Sequence, residues 1–347
     1  MKKGFITFLA AALTMGVLAS CGGSGSSATT AAAAAPAGKA ESTETSAAAA
    51  EPQKLGLAYQ YGLSYAPAVI AMQKGYIEES YKAATGRDLE ITWNQMSSGA
   101  DINTAIAAGE IQGGFMGLGP AMTGVMKGVG YKIFANISGQ EHGMMTNDEG
   151  IKTLGDLVGS DKQIALVNIG SIQHIILAKA LADNGFDPHA LDSNIVAMKH
   201  PDGMSSLETG SVACHLTSSP YIFKEKEEDN LREIEEIANA WTVEDSFIVG
   251  VASEELHDSD PELYKALCDG IRMGQDLINE KPDEAAAITA ELDGNTPEVE
   301  KDYLLRGRYV SKTSNMFKLA EFMGANGFLD PAPKEYSDLV FENVEGD

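Results

Sequence analysis

The residues of this chain that could do chemistry are hydroxyls, carboxamides and aromatic rings gathered in short loops. Tyr61, Ser64 and Tyr65 form one group, Ser97, Ser98 and Gly99 a second, and Leu118 and Gly119 a third. Ser171 and Gln173 form a fourth, and Thr217, Ser218 and Ser219 a fifth. Such side chains hold a polar solute by donating and accepting hydrogen bonds; they do not by themselves activate a bond. The motifs that would activate one are missing: there is no Gly-x-Ser-x-Gly elbow, no phosphate-binding Gly-Lys-Ser/Thr loop, no His-Glu-x-x-His and no Cys-x-x-Cys. His142, His174, His200 and His215 fall in separate segments without ligand spacing, so ordinary polar roles are expected for them and no metal. Trp241 closes a polar stretch and is a candidate cleft wall, whereas Trp93 ends an apolar run and reads as core. Glu141-His142 is either a turn or a polar clamp on a ligand. Any one of the serines is equally well read as a helix cap. Taken as a set, caps converging at one edge supply both donors and the positive ends of helix dipoles. No lysine or arginine lies in these loops, which counts against a fully charged anion unless helix ends compensate.

These groups need elements to position them, and the clearest lie in the stretch MSSGADINTAIAAGEIQGGFMGLGPA, residues 96–121. Ser97 and Ser98 can cap a helix whose apolar positions Ile102, Ala105 and Ile106 are spaced by three and four, with Gly109 at its end. Residues 113–116 allow only a short buried strand, and Gly117-Leu118-Gly119-Pro120 starts the next helix with proline in its first turn. Around this stretch, strands are expected over 54–60, 89–93 and 131–137, with a helix over 67–74 stopped by Gly75. After a crossing near 139–143 come a short helix over 151–158, a strand over 163–167, an amphipathic helix over 171–184, a strand over 194–198, a short helix over 204–209 and a strand over 212–217. A further strand over 247–252 precedes helices over 261–279, 283–292, 298–306, 315–326 and 336–344, whose apolar stripes suit a cover for the first sheet.

The segments GLSYAPAVIAMQKGYIEE, DINTAIAAGEIQGGFMGLGPA with YKIFANIS, IKTLGDLVGSDKQIALVNIGSIQHIILAKAL and SFIVGVASEEL follow one another in an order that resembles the substrate-binding lipoproteins of bacterial ABC importers. The type resembled is that of sulfonate, nitrate and taurine binders, which also includes binders of thiamine-pyrimidine precursors, and the likeness runs from about residue 55 to beyond 253. It implies an α/β fold of the type II periplasmic-binding-protein kind: two lobes, each a mostly parallel sheet flanked by helices, with two crossovers as hinge. The lobes are expected at 54–140 with 246–347, and at 141–245.

The chain begins as an exported protein would. Lys2 and Lys3 precede an apolar run over 5–18 that is short for a membrane span, and Leu18-Ala19-Ser20-Cys21 resembles a lipobox. Residues 1–20 therefore read as a signal peptide and Cys21 as a lipidated residue that anchors the protein to a bilayer. Residues 21–53 are rich in Gly, Ser, Ala, Thr and Pro and read as a flexible tether. A formal charge of −25 argues against nucleic acid as a partner. Acidic runs such as 225–229 and 233–236 read as solvated faces, because they lack calcium-loop spacing. Cys214 and Cys268 read as small core residues in different lobes, without a disulfide.

The expectation is a lipid-anchored, extracytoplasmic, non-enzymatic component that needs no cofactor, captures a small polar molecule between its lobes and hands it to an ABC permease. Two rivals are an enzyme of thiamine-pyrimidine synthesis on the same fold, whose cysteine cluster this sequence lacks, and a surface sensor or adhesive lipoprotein.

Overall fold

The structure, a computed structural model, describes residues 51–347. The signal segment, Cys21 and nearly all of the tether lie outside the described residues. Among the described residues, ten strands form two five-stranded sheets. The first sheet uses β1 (Gln53–Tyr59), β2 (Leu89–Gln95), β3 (Gly113–Gly117) and β4 (Tyr131–Ser138). The second uses β5 (His142–Thr146), β6 (Ile164–Leu166), β7 (Ile195–Ala197), β8 (Cys214–Ser218) and β9 (Arg232–Ile234), after which β10 (Ile248–Ser253) returns to the first. The strand orders are β2-β1-β3-β10-β4 and β7-β6-β8-β5-β9. In each sheet four strands run one way and one runs against them, β10 in the first and β5 in the second. Those two reversed strands flank the chain's two passages between lobes.

Helices cover both sheets. In the first lobe they are α1 (Ala66–Lys74), α2 (Tyr76–Thr85), α3 (Gly99–Ala107) and α4 (Leu118–Met126), and in the second α5 (Leu154–Leu157), α6 (Ile172–Asp183), α7 (His200–Glu208), α8 (Tyr221–Lys226) and α9 (Glu235–Ala240). The chain then adds α10 (Glu254–Ser259), α11 (Pro261–Glu280), α12 (Pro282–Asp293), α13 (Pro297–Leu305) and α14 (Met316–Ala325). The start of α3 follows its sequence signal: the Ser98 hydroxyl accepts from the Asp101 amide at 3.2 Å, and Gly109 takes a left-handed φ of 72° just past the end. Apolar cores fill both lobes, around Leu57, Phe115 and Ile133 in one and Leu166, Ile175 and Leu216 in the other.

Several elements depart from the sequence pattern. The run at 139–143 reads as a bare crossing, yet from His142 onward it is strand β5, buried along its whole length and so without alternation. Helix α6 reads as amphipathic but is buried on nearly every side, because α4 of the first lobe and α9 cover it from two directions. Residues 336–344 form only a short 3₁₀ turn at Tyr336–Asp338; Ile133 then donates to Leu339 and Phe341 donates to Ile133, extending the sheet edge beside β4. The acidic run at 225–229 is not wholly a solvated face, since Glu225 is fully buried. Helix α13 covers more than the first lobe: the Tyr303 ring lies 4.9 Å from Phe223 of α8, across the lobe boundary.

The two passages lie side by side. Phe247 donates to the Ser138 carbonyl at 3.0 Å, and a Cβ on Gly139 would stand 2.0 Å from the Val243 carbonyl oxygen, so glycine is required there by the close approach. On the far flank His189 of the second lobe stacks on Phe328 at 4.5 Å and donates to the Asn326 carbonyl at 2.9 Å. The lobes thus meet at both flanks of the cleft as well as at the crossing.

Candidate functional site

Parallel strands deliver their following loops to one edge, and here two such edges face each other. From the first lobe come the loops after β1, β2 and β3; from the second come those after β6, β7 and β8. Between them is a small cavity of about 20 Å³. Of the residues singled out from sequence, Tyr61, Ser64, Tyr65, Ser97, Gly99, Ser171, Gln173 and Ser218 line it. The two lobes touch at its floor, where a Cβ on Gly117 would lie 2.7 Å from the Ile172 side chain.

Helices α3, α4, α6 and α7 begin at this cavity, with Ser98, Gly117, Ser171 and Lys199 at their N-caps. The positive ends of four helix dipoles therefore converge on one small space, a setting that favours an anionic or strongly polar group. Ser171 accepts from the His174 amide at 3.3 Å, which leaves its hydroxyl hydrogen free to donate. The Ser64 hydroxyl, on a residue 1 % exposed, has no partner. A buried polar atom without a partner at a cavity wall is a ready contact for a ligand. Burial drives the Tyr65 phenol upward, so it stays protonated and able to donate.

The other sequence candidates stand behind the wall. Ser98 is engaged as a cap and bonds Asp101 Oδ2 at 2.9 Å. Leu118 is fully buried and Gly119 abuts Ile175 of α6. His142 donates from Nδ1 to the Gln140 carbonyl at 3.0 Å and stacks on Phe247, a lining residue, at 5.2 Å. Burial lowers its pKa to about 4, so the ring is neutral, and its bare Nε2 has no partner. Glu141 is held by Lys226 at 2.7 Å. Thr217 is 3.0 Å from His200 Nδ1. Trp241 donates to the Ser246 carbonyl at 3.1 Å and is core, and Trp93 stacks on Phe115. Cys214 and Cys268 are free thiols away from the cavity, and no cluster of three or more metal-ligating side chains is found among the described residues.

Sequence reasoning missed Gln60, Pro120, Val167, Lys199, His200, Phe247 and Ile248, all of which line the cavity. No basic residue lies in the loops singled out from sequence, but Lys199 reaches the site from another: its ammonium lies 5.4 Å from the centre of the Tyr61 ring, a contact between lobes at the cavity mouth. Its signal was Lys-His-Pro at 199–201, with proline at a helix start, but the missing Ser, Thr or Asp cap hid where α7 begins. His200 sits 3.1 Å from the Gln173 carboxamide and is neutral, its pKa lowered by burial to about 3.

Several solved structures of the same fold are described as solute-binding proteins. The alkanesulfonate-binding protein SsuA from Xanthomonas axonopodis pv. citri, bound to MOPS, aligns over 86 % of this chain and 100 % of its own at 19 % identity with a TM-score of 0.68. The periplasmic aliphatic sulphonate binding protein SsuA from Escherichia coli aligns over 85 % and 94 % at 16 % identity, TM-score 0.64. The periplasmic nitrate-binding protein NrtA from Synechocystis PCC 6803 aligns over 72 % and 69 % at 15 % identity, TM-score 0.56. A search of curated proteins finds no sequence match. At such identities the likeness establishes the fold, the two-lobed α/β architecture of periplasmic binding proteins. The family model described as NMT1-like matches residues 48–292, and with that span covered the chain belongs to the NMT1-like family.

Proposed function

We propose that this protein is the solute-binding component of an ABC importer and that it captures a small anionic molecule in the cavity between its lobes without transforming it. The observation that carries this reading is the composition of the cavity wall, where helix starts and hydroxyls from both lobes surround one space with Lys199 at its mouth. A ligand touching both walls binds the closed arrangement more tightly than an open one, and that difference in affinity is the mechanism. The lobes in this reading are 54–140 with 246–347 and 141–245, and bending takes place at the paired passages near Gly139 and Val243. The contacts are Tyr61, Ser64, Tyr65, Ser97, Gly99, Ser171, Gln173 and Ser218 together with Lys199. Cys21 carries the lipid, the folded part is extracytoplasmic, and the partner that receives the ligand is a membrane permease. The solute-binding roles of the structural relatives support capture over catalysis, and Lys199 with the helix starts favours a sulfonate-like or nitrate-like anion over a pyrimidine. The test is a thermal-shift and calorimetric screen of residues 51–347 against methanesulfonate, taurine, nitrate and pyrimidines. A concentration-dependent rise in melting temperature with an anion is expected. Stabilisation by a pyrimidine alone refutes the anion, and stabilisation by none of them refutes this class of solute.

A further inference from the structure

Behind the cleft wall, buried polar side chains form a line leading away from the cavity. Gln173 lines the cavity, and its Nε2 lies 3.1 Å from His200 Nε2. His200 Nδ1 is 3.4 Å from His215 Nε2 and 3.0 Å from the Thr217 hydroxyl. His215 Nδ1 is 2.5 Å from Glu225 Oε1. His215 and Glu225 are fully buried, and a Cβ on Gly203 would stand 2.5 Å from His215 Nε2, so the ring is closely held.

A neutral imidazole has one N–H and one bare nitrogen, and the Thr217 hydroxyl can accept from or donate to His200 Nδ1 in either state, so a line in which every ring nitrogen is paired runs in one of two directions. With Glu225 ionised, His215 donates to it from Nδ1 and accepts at Nε2 from His200. His200 Nε2 is then bare and accepts from the Gln173 amide nitrogen, which leaves the carboxamide oxygen for the cavity. With Glu225 protonated, its hydroxyl donates to His215 Nδ1, His215 Nε2 donates to His200 Nδ1, and His200 Nε2 donates to the carboxamide oxygen. The amide –NH₂ is then left for the cavity. Exchanging the carboxamide's oxygen and nitrogen needs almost no extra room.

The structure holds Gln173 in the first arrangement, while the surroundings of Glu225 favour the second. Its Oε2 has no partner, and burial, reinforced by the charge of Glu208, raises its pKa to about 9. Burial lowers His215 to about 3, so neither ring is charged at neutral pH. The titratable and charged groups on the elements packed against α8 are His200, Asp202 and Glu208 of α7, His142 of β5, Cys214 and His215 of β8, and Glu298, Glu300, Lys301, Asp302 and Tyr303 of α13, with Arg306 just past its end. On α8 itself are Tyr221, Lys224 and Lys226, the last engaged by Glu141 and Glu233.

We infer that Glu225 is a positioning residue that selects the ligand: through His215 and His200, its proton decides whether Gln173 offers the cavity a hydrogen-bond acceptor or a donor. The inference rests on the anion-capture reading for its consequence, since an anion requires the donor arrangement, but not for its first test. That test is ¹⁵N-imidazole and ¹³C-carboxyl NMR of the unliganded protein through pH 7 to 10. As Glu225 loses its proton, the N–H of both His200 and His215 should move from Nε2 to Nδ1 in step with it. Rings that keep their tautomers while Glu225 titrates overturn the inference, whatever the protein binds. The second test is calorimetry with methanesulfonate on wild type and Glu225→Gln, whose amide keeps a donor toward His215. Apparent affinity scales with the protonated fraction, so wild type should weaken about fourfold between pH 7.5 and 9.5 beyond any change in the variant. Equal pH profiles overturn the selector role, whereas methanesulfonate failing to bind either protein refutes the ligand reading and leaves the NMR outcome to decide the relay.

Discussion

Replacing Lys199 with methionine tests the electrostatic content of the cleft most directly, because the variant keeps the apolar stem against Tyr61 and removes only the charge. An ammonium about 5 Å from a monoanion contributes about 3 kcal/mol at an effective dielectric constant of 20 and about 0.8 kcal/mol in bulk water. Lys199 is an exposed residue at the mouth, which places the expected loss toward the lower figure, about 1–2 kcal/mol, or five- to thirtyfold in dissociation constant. The assay is titration calorimetry with methanesulfonate at low salt and again at roughly 0.3 M salt, where the Debye length falls below about 6 Å. Wild type should lose affinity with added salt and Lys199→Met should lose much less, so the two curves converge. The melting temperature without ligand should be nearly unchanged, because a surface ion with one cation–π contact contributes little to folding. An unchanged dissociation constant at low salt, or a loss of the same size at both salts, would falsify the assignment of Lys199 to anion capture.

Other outcomes follow from the same geometry. Ser98→Ala and Ser171→Ala should each cost about 1 kcal/mol of stability as lost caps, but only Ser171→Ala should also weaken methanesulfonate, by about 1.5–3 kcal/mol for a bond to a charged group. Wild-type affinity in both variants would make both serines caps alone. The Asn326 carbonyl, and after it Asp192, raise the pKa of His189, so its contribution is fully present below the ordinary histidine value of about 6.5 and is lost as pH rises through the higher folded value. The melting-temperature advantage of wild type over His189→Phe, which keeps a ring against Phe328, should therefore be greatest in mild acid and shrink toward pH 8; a difference flat across that range counts against the pairing. Cys21→Ser should leave circular dichroism of the folded part unchanged while moving the protein from the membrane fraction to the soluble one, and retention in membranes would remove the lipid anchor from the reading.

Much of the fold is legible in the sequence wherever local chemistry and tertiary packing agree. Ser98, Gly109 and the Gly117–Pro120 turn mark α3, β3 and α4 because caps and left-handed positions are set by nearest neighbours. The same local logic fails for β5, whose HGMMT run is buried on both faces and carries no alternation, and for 336–344, whose apolar spacing suits a helix while its backbone bonds go to Ile133. Half of the cavity wall could be named from loops that follow strands. Lys199 and His200 could not, because α7 starts without a capping hydroxyl, and Glu225 was masked by the charged residues around it in sequence. A carboxylate among carboxylates looks solvated until a partner from another strand is seen beside it. Which loop of one lobe faces which loop of the other depends on the passage angle, and no residue spacing encodes that.

The strand order of the first sheet has a consequence for how the chain comes together. Strand β4 joins its sheet only through β10, yet β4 ends at Ser138 and β10 begins at Ile248, with the whole second sheet between them. The second lobe is a contiguous excursion whose pairings all close within residues 142–234. The first must hold β3 and β4 apart, with their facing edges unpaired, until a late segment slots between them. Contacts of that range are slow to form, and open strand edges invite pairing with other chains while they wait. During biogenesis, therefore, the vulnerable period of this molecule belongs to its N-terminal half, and it ends when residues 248–253 arrive.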